Sequence, residues 1–310
     1  MRRPTALALA CLALALQACG GDEPERPDPG AGRFDAERAF ADLEAQVAIG
    51  PRPAGSPASR ETARLIAERL RAAGVKGVRI QRPYRNVVGT IPGSEGDGIV
   101  VGAHHDTKDV PGLVGANDGA SGVAVVLEVA RVLAAEAPLD GPSVHLALFD
   151  AEEARGEREF AADGTRGSRQ YVEYARTSEQ GAPVIGRIGA MILLDMVGDC
   201  DLQIPREANS DRDLYKWIAM HAVEGNDPFG GTTGAILDDH IPFVEAGIPA
   251  VDLIDFTYGP EPPPGEWWHT TEDTLDKVCP GSLEAVGEAV LRVLPAAGAV
   301  TGDSASRRYP

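Results

Sequence analysis

Thiols, aromatic rings and positive charge are all scarce in this chain. Only four of its 310 residues are cysteine, and no Cys-x-x-Cys pair occurs, which argues against a thiolate zinc site. Aromatic residues make up 5% of the sequence, and 29 basic residues face 47 acidic ones for a formal charge of −18. Such a surface repels phosphate backbones and anionic lipid, so nucleic acid is not an expected partner. Beyond the N-terminal segment no run approaches the roughly 18 consecutive apolar residues of a membrane span. The full sequence is 43% hydrophobic and 25% charged, an ordinary globular composition able to bury one large core.

The first residues read as a targeting segment. Arg2 and Arg3 supply a positive start, Ala6 to Leu16 form an apolar run too short to span a bilayer, and Ala18 is the small residue before a cut. Leu16-Gln17-Ala18-Cys19 resembles the lipobox of bacterial lipoproteins, in which the cysteine is lipidated; a plain cleaved signal is the alternative. The sequence therefore predicts a signal peptide over 1–18 and a Pro- and Gly-rich tether over 19–33. A catalytic domain over 34–300 and a tail over 301–310 would follow. Export and lipid anchoring through Cys19 are expected, with Gly20 after the cysteine resembling outer-membrane sorting, on the periplasmic face. After processing, Cys200 and Cys279 remain; a disulfide between them and two separate thiols both stay open.

Helical and strand patterns then alternate. Phe40, Leu43 and Val47 share a helical spacing, as do Ala63, Ile66, Ala67, Leu70 and Ala73, on either side of the Gly50-Pro51-Arg52-Pro53 turn. Continuous apolar runs at Ile99–Ala103, Val144–Phe149, Met191–Leu194 and Ala250–Ile254 read as strands buried on both faces. Helices are predicted over Ser121–Ala134, around Leu214, Trp217 and Ile218, and from Leu283 to Leu294. The pattern predicts an α/β three-layer sandwich with a central mixed, mostly parallel sheet and helices on both faces.

Open α/β sheets gather ligands beyond the carboxyl ends of their strands. There the sequence places His104-His105-Asp106, Asn117-Asp118, Asp150-Ala151-Glu152-Glu153 and Asp195; Asp238-Asp239-His240 and Trp267-Trp268-His269 follow in polar loops. So many carboxylates on one edge would repel one another and raise their own pKa values unless a cation intervened. Carboxylate and imidazole without thiolate suit a catalytic zinc with an open position. Neighbouring side chains on an extended segment point apart, so Glu153 can ligate while Glu152 faces the reacting group as a base.

The segments GAHHDT (Gly102–Thr107), GANDGASGVAVVLEVARVL (Gly115–Leu133), LFDAEE (Leu148–Glu153), GSRQY (Gly167–Tyr171), LLDMVG (Leu193–Gly198), DDHIPF (Asp238–Phe243) and WHT (Trp268–Thr270) occur in the order of the M28 zinc peptidase superfamily, which the chain therefore resembles. Two branches compete: di-zinc aminopeptidases and the animal-type glutaminyl-peptide cyclotransferases, which bind one zinc. The long segment Ala154–Arg166, the DDHIPF and WHT elements, and Phe149-Asp150 before the glutamates resemble the cyclases. The resemblance implies Asp118, Glu153 and His269 as zinc ligands, Glu152 as general acid/base, and Asp195 with Asp238 as an acidic network around it. It further implies Trp268, with Trp267 and Phe243, at the substrate pocket, while His104 and Asp195 would complete a second zinc site in an aminopeptidase. Peptide or protein N-termini are the implied substrates of a monomeric enzyme. The sequence departs from the cyclase pattern in having Phe160 as the only aromatic residue of the loop after the glutamates, and Asp252 where a histidine is expected. A non-catalytic, zinc-stabilised peptide-binding lipoprotein is the remaining alternative.

Overall fold

A computed structural model describes residues 33–294 apart from 95, 224 and 261. The expected signal peptide, the lipidated Cys19, the tether up to residue 32 and the C-terminal tail lie outside the described residues. In chain order the elements are α1 (Ala36–Val47), α2 (Pro57–Ala72), β1 (Lys76–Ile80), β2 (Val87–Ile91), β3 (Gly98–His104), α3 (Ala120–Glu136) and β4 (Val144–Phe149). Next come α4 (Phe160–Asp163), α5 (Arg166–Thr177), β5 (Ile188–Asp195), β6 (Ile204–Arg206), α6 (Arg212–Ala219), β7 (Phe229–Thr232), α7 (Ile241–Glu245), β8 (Ala250–Ile254) and α8 (Pro280–Val293). Among the described residues no helix is long and apolar enough to cross a membrane.

The main sheet has six strands in the order β1-β2-β4-β3-β5-β8. β4, β3, β5 and β8 run parallel, whereas β1 and β2 form an antiparallel margin against β4. Strand alternation sorts side chains between two cores. Ile99, Val101 and Ala103 of β3 and Ala190, Ile192 and Leu194 of β5 face a large core made with α1, α2, α3, α6 and α8. Val100, Met191 and Leu193 face the opposite side, against Tyr171 and Val172 of α5 and Phe243 of α7. This is the three-layer sandwich that the sequence predicts.

Side-chain caps set the helix starts. Asp35 accepts from the backbone N–H of Arg38 to begin α1, and Ser56 accepts from that of Ser59 to begin α2. Two glycines permit approaches that any side chain would block. A Cβ on Gly122 would collide with the Leu194 carbonyl, and one on Gly167 with the Asp150 carbonyl, so α3 and α5 press directly on the chain beside functional residues. Cys200 and Cys279 form a disulfide that ties the loop after β5 to the start of α8.

Candidate active site

The carboxyl ends of β3, β4, β5 and β8 lie side by side, and the loops that leave them bring the acidic and imidazole groups together. His104 ends β3, Asp118 sits just before α3, Glu152 and Glu153 follow β4, and Asp195 ends β5. His269 arrives from the loop between β8 and α8. Three residues here hold left-handed backbone that only glycine adopts freely: Ala151 (φ 64°) before the glutamates, Met196 (φ 48°) after Asp195, and His269 itself (φ 57°). Strain gathered at these positions shows the surrounding fold dictating side-chain direction.

Two groups of metal-ligating side chains share Asp118. His104, Asp118 and Asp195 form one and Asp118, Glu153 and His269 the other; within each, the ligand atoms lie within 4.8 Å of one another. His269 Nε2 is 2.9 Å from Glu153 Oε1 and 3.4 Å from Asp118 Oδ2. His104 Nε2 is 3.2 Å from Asp118 Oδ1 and 3.1 Å from Asp195 Oδ1. Asp118 thus turns one oxygen to each imidazole. Both Glu153 oxygens and Asp118 Oδ2 are buried without a hydrogen bond of good geometry, beside the His269 imidazole and, 3.5 Å from Glu153 Oε2, Lys108 Nζ. Buried carboxylate oxygens in that state are costly unless a cation meets them, so the donor set fits a metal ion.

Electrostatics set the two neighbouring glutamates apart from Asp118. Burial pushes the Glu152 carboxyl well above its ordinary range against the lowering influence of His104, and Glu153 and Asp239 push it further. Glu153 is also raised, chiefly by burial. For Asp118 burial acts upward, but the hydrogen bond from His104 and the charge of His269 bring its pKa down. Asp238 is raised by burial and by the charge of Asp252, and Asp239 is pushed up to about 7, first by burial. A protonatable glutamate beside an aspartate held as the carboxylate is an arrangement that suits acid/base chemistry.

These groups form the floor of a cavity of about 350 Å³. Phe160, Ile236, Leu237, Ile254, Phe256 and Trp268 wall it, with Lys108, Asp195 and Asp238 at its polar margin. Trp268 stacks on His269 with ring centroids 3.7 Å apart and meets Phe256 edge-on at 5.3 Å.

Two expected pocket residues are corrected. Phe243 is fully buried in the second core, its ring 6.3 Å from Phe149 and 5.8 Å from Tyr171, because α7 turns it under the sheet. Trp267 packs edge-on against Tyr258 at 5.4 Å, with Lys277 Nζ 5.1 Å above it, and does not line the cavity. Asp252 lies behind the site, 3.8 Å from Nδ1 of the buried His240, whose Nε2 is 3.3 Å from Glu207.

The sequence reading missed the residues that hold the ligand loops. Asp106 accepts the backbone N–H groups of Glu152 and Glu153 at 3.1 and 3.3 Å. Asp273 accepts those of Asn117 and Asp118 at 2.7 and 3.1 Å, together with the Tyr258 hydroxyl at 2.8 Å. Arg52, fully buried, donates to the carbonyls of His105, Val114 and Gly115, fastening the loop between β3 and α3. A carboxylate two residues after His104 and another four after His269 were the only available signals.

Fold and site together define an α/β protein with a candidate metal centre at the strand ends. Residues 86–294 match peptidase family M28, and the chain belongs to that family. It is 33% identical over 202 residues to aminopeptidase YwaD of Bacillus subtilis, covering 63% of this chain and 40% of the relative. It is 28% identical over 237 residues to the glutaminyl-peptide cyclotransferase of Bos taurus, covering 64% of this chain and 62% of that protein. The chain therefore spans less than two thirds of either curated relative. Among solved structures, the glutaminyl cyclase of an Acidobacteriales bacterium superposes with a TM-score of 0.74 at 30% identity, covering 89% of this chain and 100% of that one.

Proposed function

We propose that this protein is a zinc-dependent glutaminyl-peptide cyclotransferase that converts N-terminal glutamine of peptides to pyroglutamate with release of ammonia. The observation that carries the reading is the protonatable Glu152 on the floor of a cavity walled by Trp268, Phe256, Phe160 and Ile254. The match along the full length of the Acidobacteriales cyclase supports it.

Asp118, Glu153 and His269 would hold the zinc, which when bound supplies polarisation of the γ-carboxamide carbonyl. The apolar walls enclose the glutamine side chain and exclude competing water. Glu152 accepts a proton from the α-amine as its nitrogen forms the bond to the γ-carbon. It then returns that proton to the amide nitrogen as the C–N bond breaks and ammonia leaves. Burial, with the charges of Glu153 and Asp239, strengthens the hold of Glu152 on that proton, and Asp238 and Asp195 border the same cavity beside it. Anchoring in the cell envelope through Cys19 would present this site to exported peptides.

One observation favours a second reading. Asp118 faces both His104–Asp195 and Glu153–His269, the layout that two metal ions of an aminopeptidase would use. In that case Glu152 would serve a water nucleophile and the first residue would be released. Glu152→Gln tests the shared assignment: activity is expected to fall by ~10²-fold or more while metal content is unchanged. A metal-loaded variant with full turnover would remove Glu152 from the mechanism.

A further inference from the structure

The net negative charge of the chain conceals a local reversal. Eight of its 29 basic residues, but only two of its 47 acidic ones, fall within residues 57–85. Helix α2 and the turn between β1 and β2 bring four of these together: Arg60, Arg64, Arg82 and Arg85 surround a cavity of about 130 Å³ with Ala63, Ile80 and Gln81. We propose that this cavity is an oxyanion-binding site for a phosphate-type group, separate from the metal centre.

Among the described residues Arg60, Arg64 and Arg82 form no ion pair, and Arg85 has only Asp150, its Nη1 3.8 Å from the carboxylate. Four arginines thus line one cavity with a single carboxylate partner among the described residues, and an anion with several acceptor oxygens would balance that local excess of positive charge. The cavity is also partly organised in advance. Arg60 Nη1 donates to the Gly55 carbonyl at 2.9 Å. The backbone N–H of Arg85 donates to Asp150 Oδ2 at 3.2 Å, and the Arg85 carbonyl faces His105 Nε2 at 3.2 Å. The Arg82 carbonyl is held from α5 by Gln170 Nε2 at 3.0 Å and by the Tyr174 hydroxyl. Two arginines therefore line the cavity half-buried, while the side chains of Arg64 and Arg82 stay exposed and able to close on a ligand.

A planar, always-charged donor fork suits tetrahedral phosphate oxygens, and the volume suits one such group rather than an extended chain. Val87 pairs with Leu148, so the start of β2 lies at the same end of the sheet as the active site. Free phosphate and a phospholipid headgroup share the required chemistry. A headgroup would hold the active-site end of the sheet toward the membrane surface.

The test uses the full chain, R64Q/R82Q, and R176Q/R212Q as a control of equal charge change. Inorganic phosphate binding is measured by titration calorimetry, and sedimentation is measured with phosphatidylcholine vesicles with and without phosphatidic acid. Phosphate is expected to bind the parent and the control alike and R64Q/R82Q about tenfold or more weakly, with affinity falling as sodium chloride rises. Extra sedimentation with phosphatidic acid that R64Q/R82Q lacks would identify the lipid source; phosphate binding without it would identify the free anion, and both support the site. Equal phosphate binding by all three proteins, or no phosphate binding alongside capture of a glutamate-rich peptide, would overturn the proposal.

Discussion

Asp106→Asn perturbs a residue that touches no substrate yet positions both glutamates. Its two oxygens accept the backbone N–H groups of Glu152 and Glu153, and Oδ1 lies 3.7 Å from His104 Nδ1, all of them buried. Asparagine has one carbonyl oxygen, so it can keep one of these bonds and must turn an NH₂ toward the other N–H. The change removes a charge-assisted hydrogen bond and leaves a buried donor unmet, a loss of ~3 kcal/mol. For a domain of this size that corresponds to a melting temperature lower by ~5 °C. Losing that bond would also displace Glu152 relative to the glutamine of the proposed substrate, and misplacement near 1 Å costs ~10²-fold in turnover. Calorimetry on the purified variant and kcat/KM with a Gln-initiated peptide measure the two effects. A variant with both melting temperature and kcat/KM unchanged would refute the view that Asp106 sets the Glu152–Glu153 backbone.

Phe243→Ala should behave as a core truncation, losing ~3–5 kcal/mol of stability while KM stays within about twofold in the folded fraction; a raised KM at unchanged stability would put the ring back at the substrate. Replacing Cys200 and Cys279 by serine opens a bridge spanning a sequence separation of 79, which the chain-entropy treatment values at ~4.5 kcal/mol. Denaturant titration reads that loss, and an unchanged midpoint would contradict it. Hydrogen bonds from Arg155 and Arg166 hold the Asp163 carboxyl below the usual range despite its burial. A depressed folded-state pKa gives stability that is present above the ordinary carboxylate pKa and lost as pH falls through the lowered value. Asp163→Asn should therefore destabilise the protein at pH 7 and lose its effect in strong acid. A deficit that persists or grows on acidification would be the wrong sign.

The four parallel strands were legible because burial on both faces leaves continuous apolar runs. β1 and β2 were not: β1 is largely exposed and carries Lys76 and Arg79, and β2 is a short segment interrupted by Gly89. Helix α5 hides its narrow stripe of Tyr171, Val172 and Ala175 among polar residues, and β6 and β7 are too short to show a period. At the site, Asp118, Glu153, His269, Glu152, Asp195, Asp238 and His104 do converge. Their motifs end strands or open helices, so their positions follow from the sheet. Phe243 and Trp267 illustrate the limit of adjacency, since a motif fixes which residues are neighbours but not which way a short helix or loop turns each side chain. Asp106 and Asp273 act through backbone N–H groups far away in sequence, a relation no local pattern encodes. The arginine cavity likewise exists only once α2 meets the β1–β2 turn.

The most direct test of the account is to incubate the zinc-loaded protein with Gln-initiated and Leu-initiated peptides and follow both by mass spectrometry, with a chelator control. Loss of ammonia from the intact Gln peptide, abolished by the chelator, is the predicted result. Release of the free N-terminal residue from either peptide, with no ammonia-loss product, would contradict it.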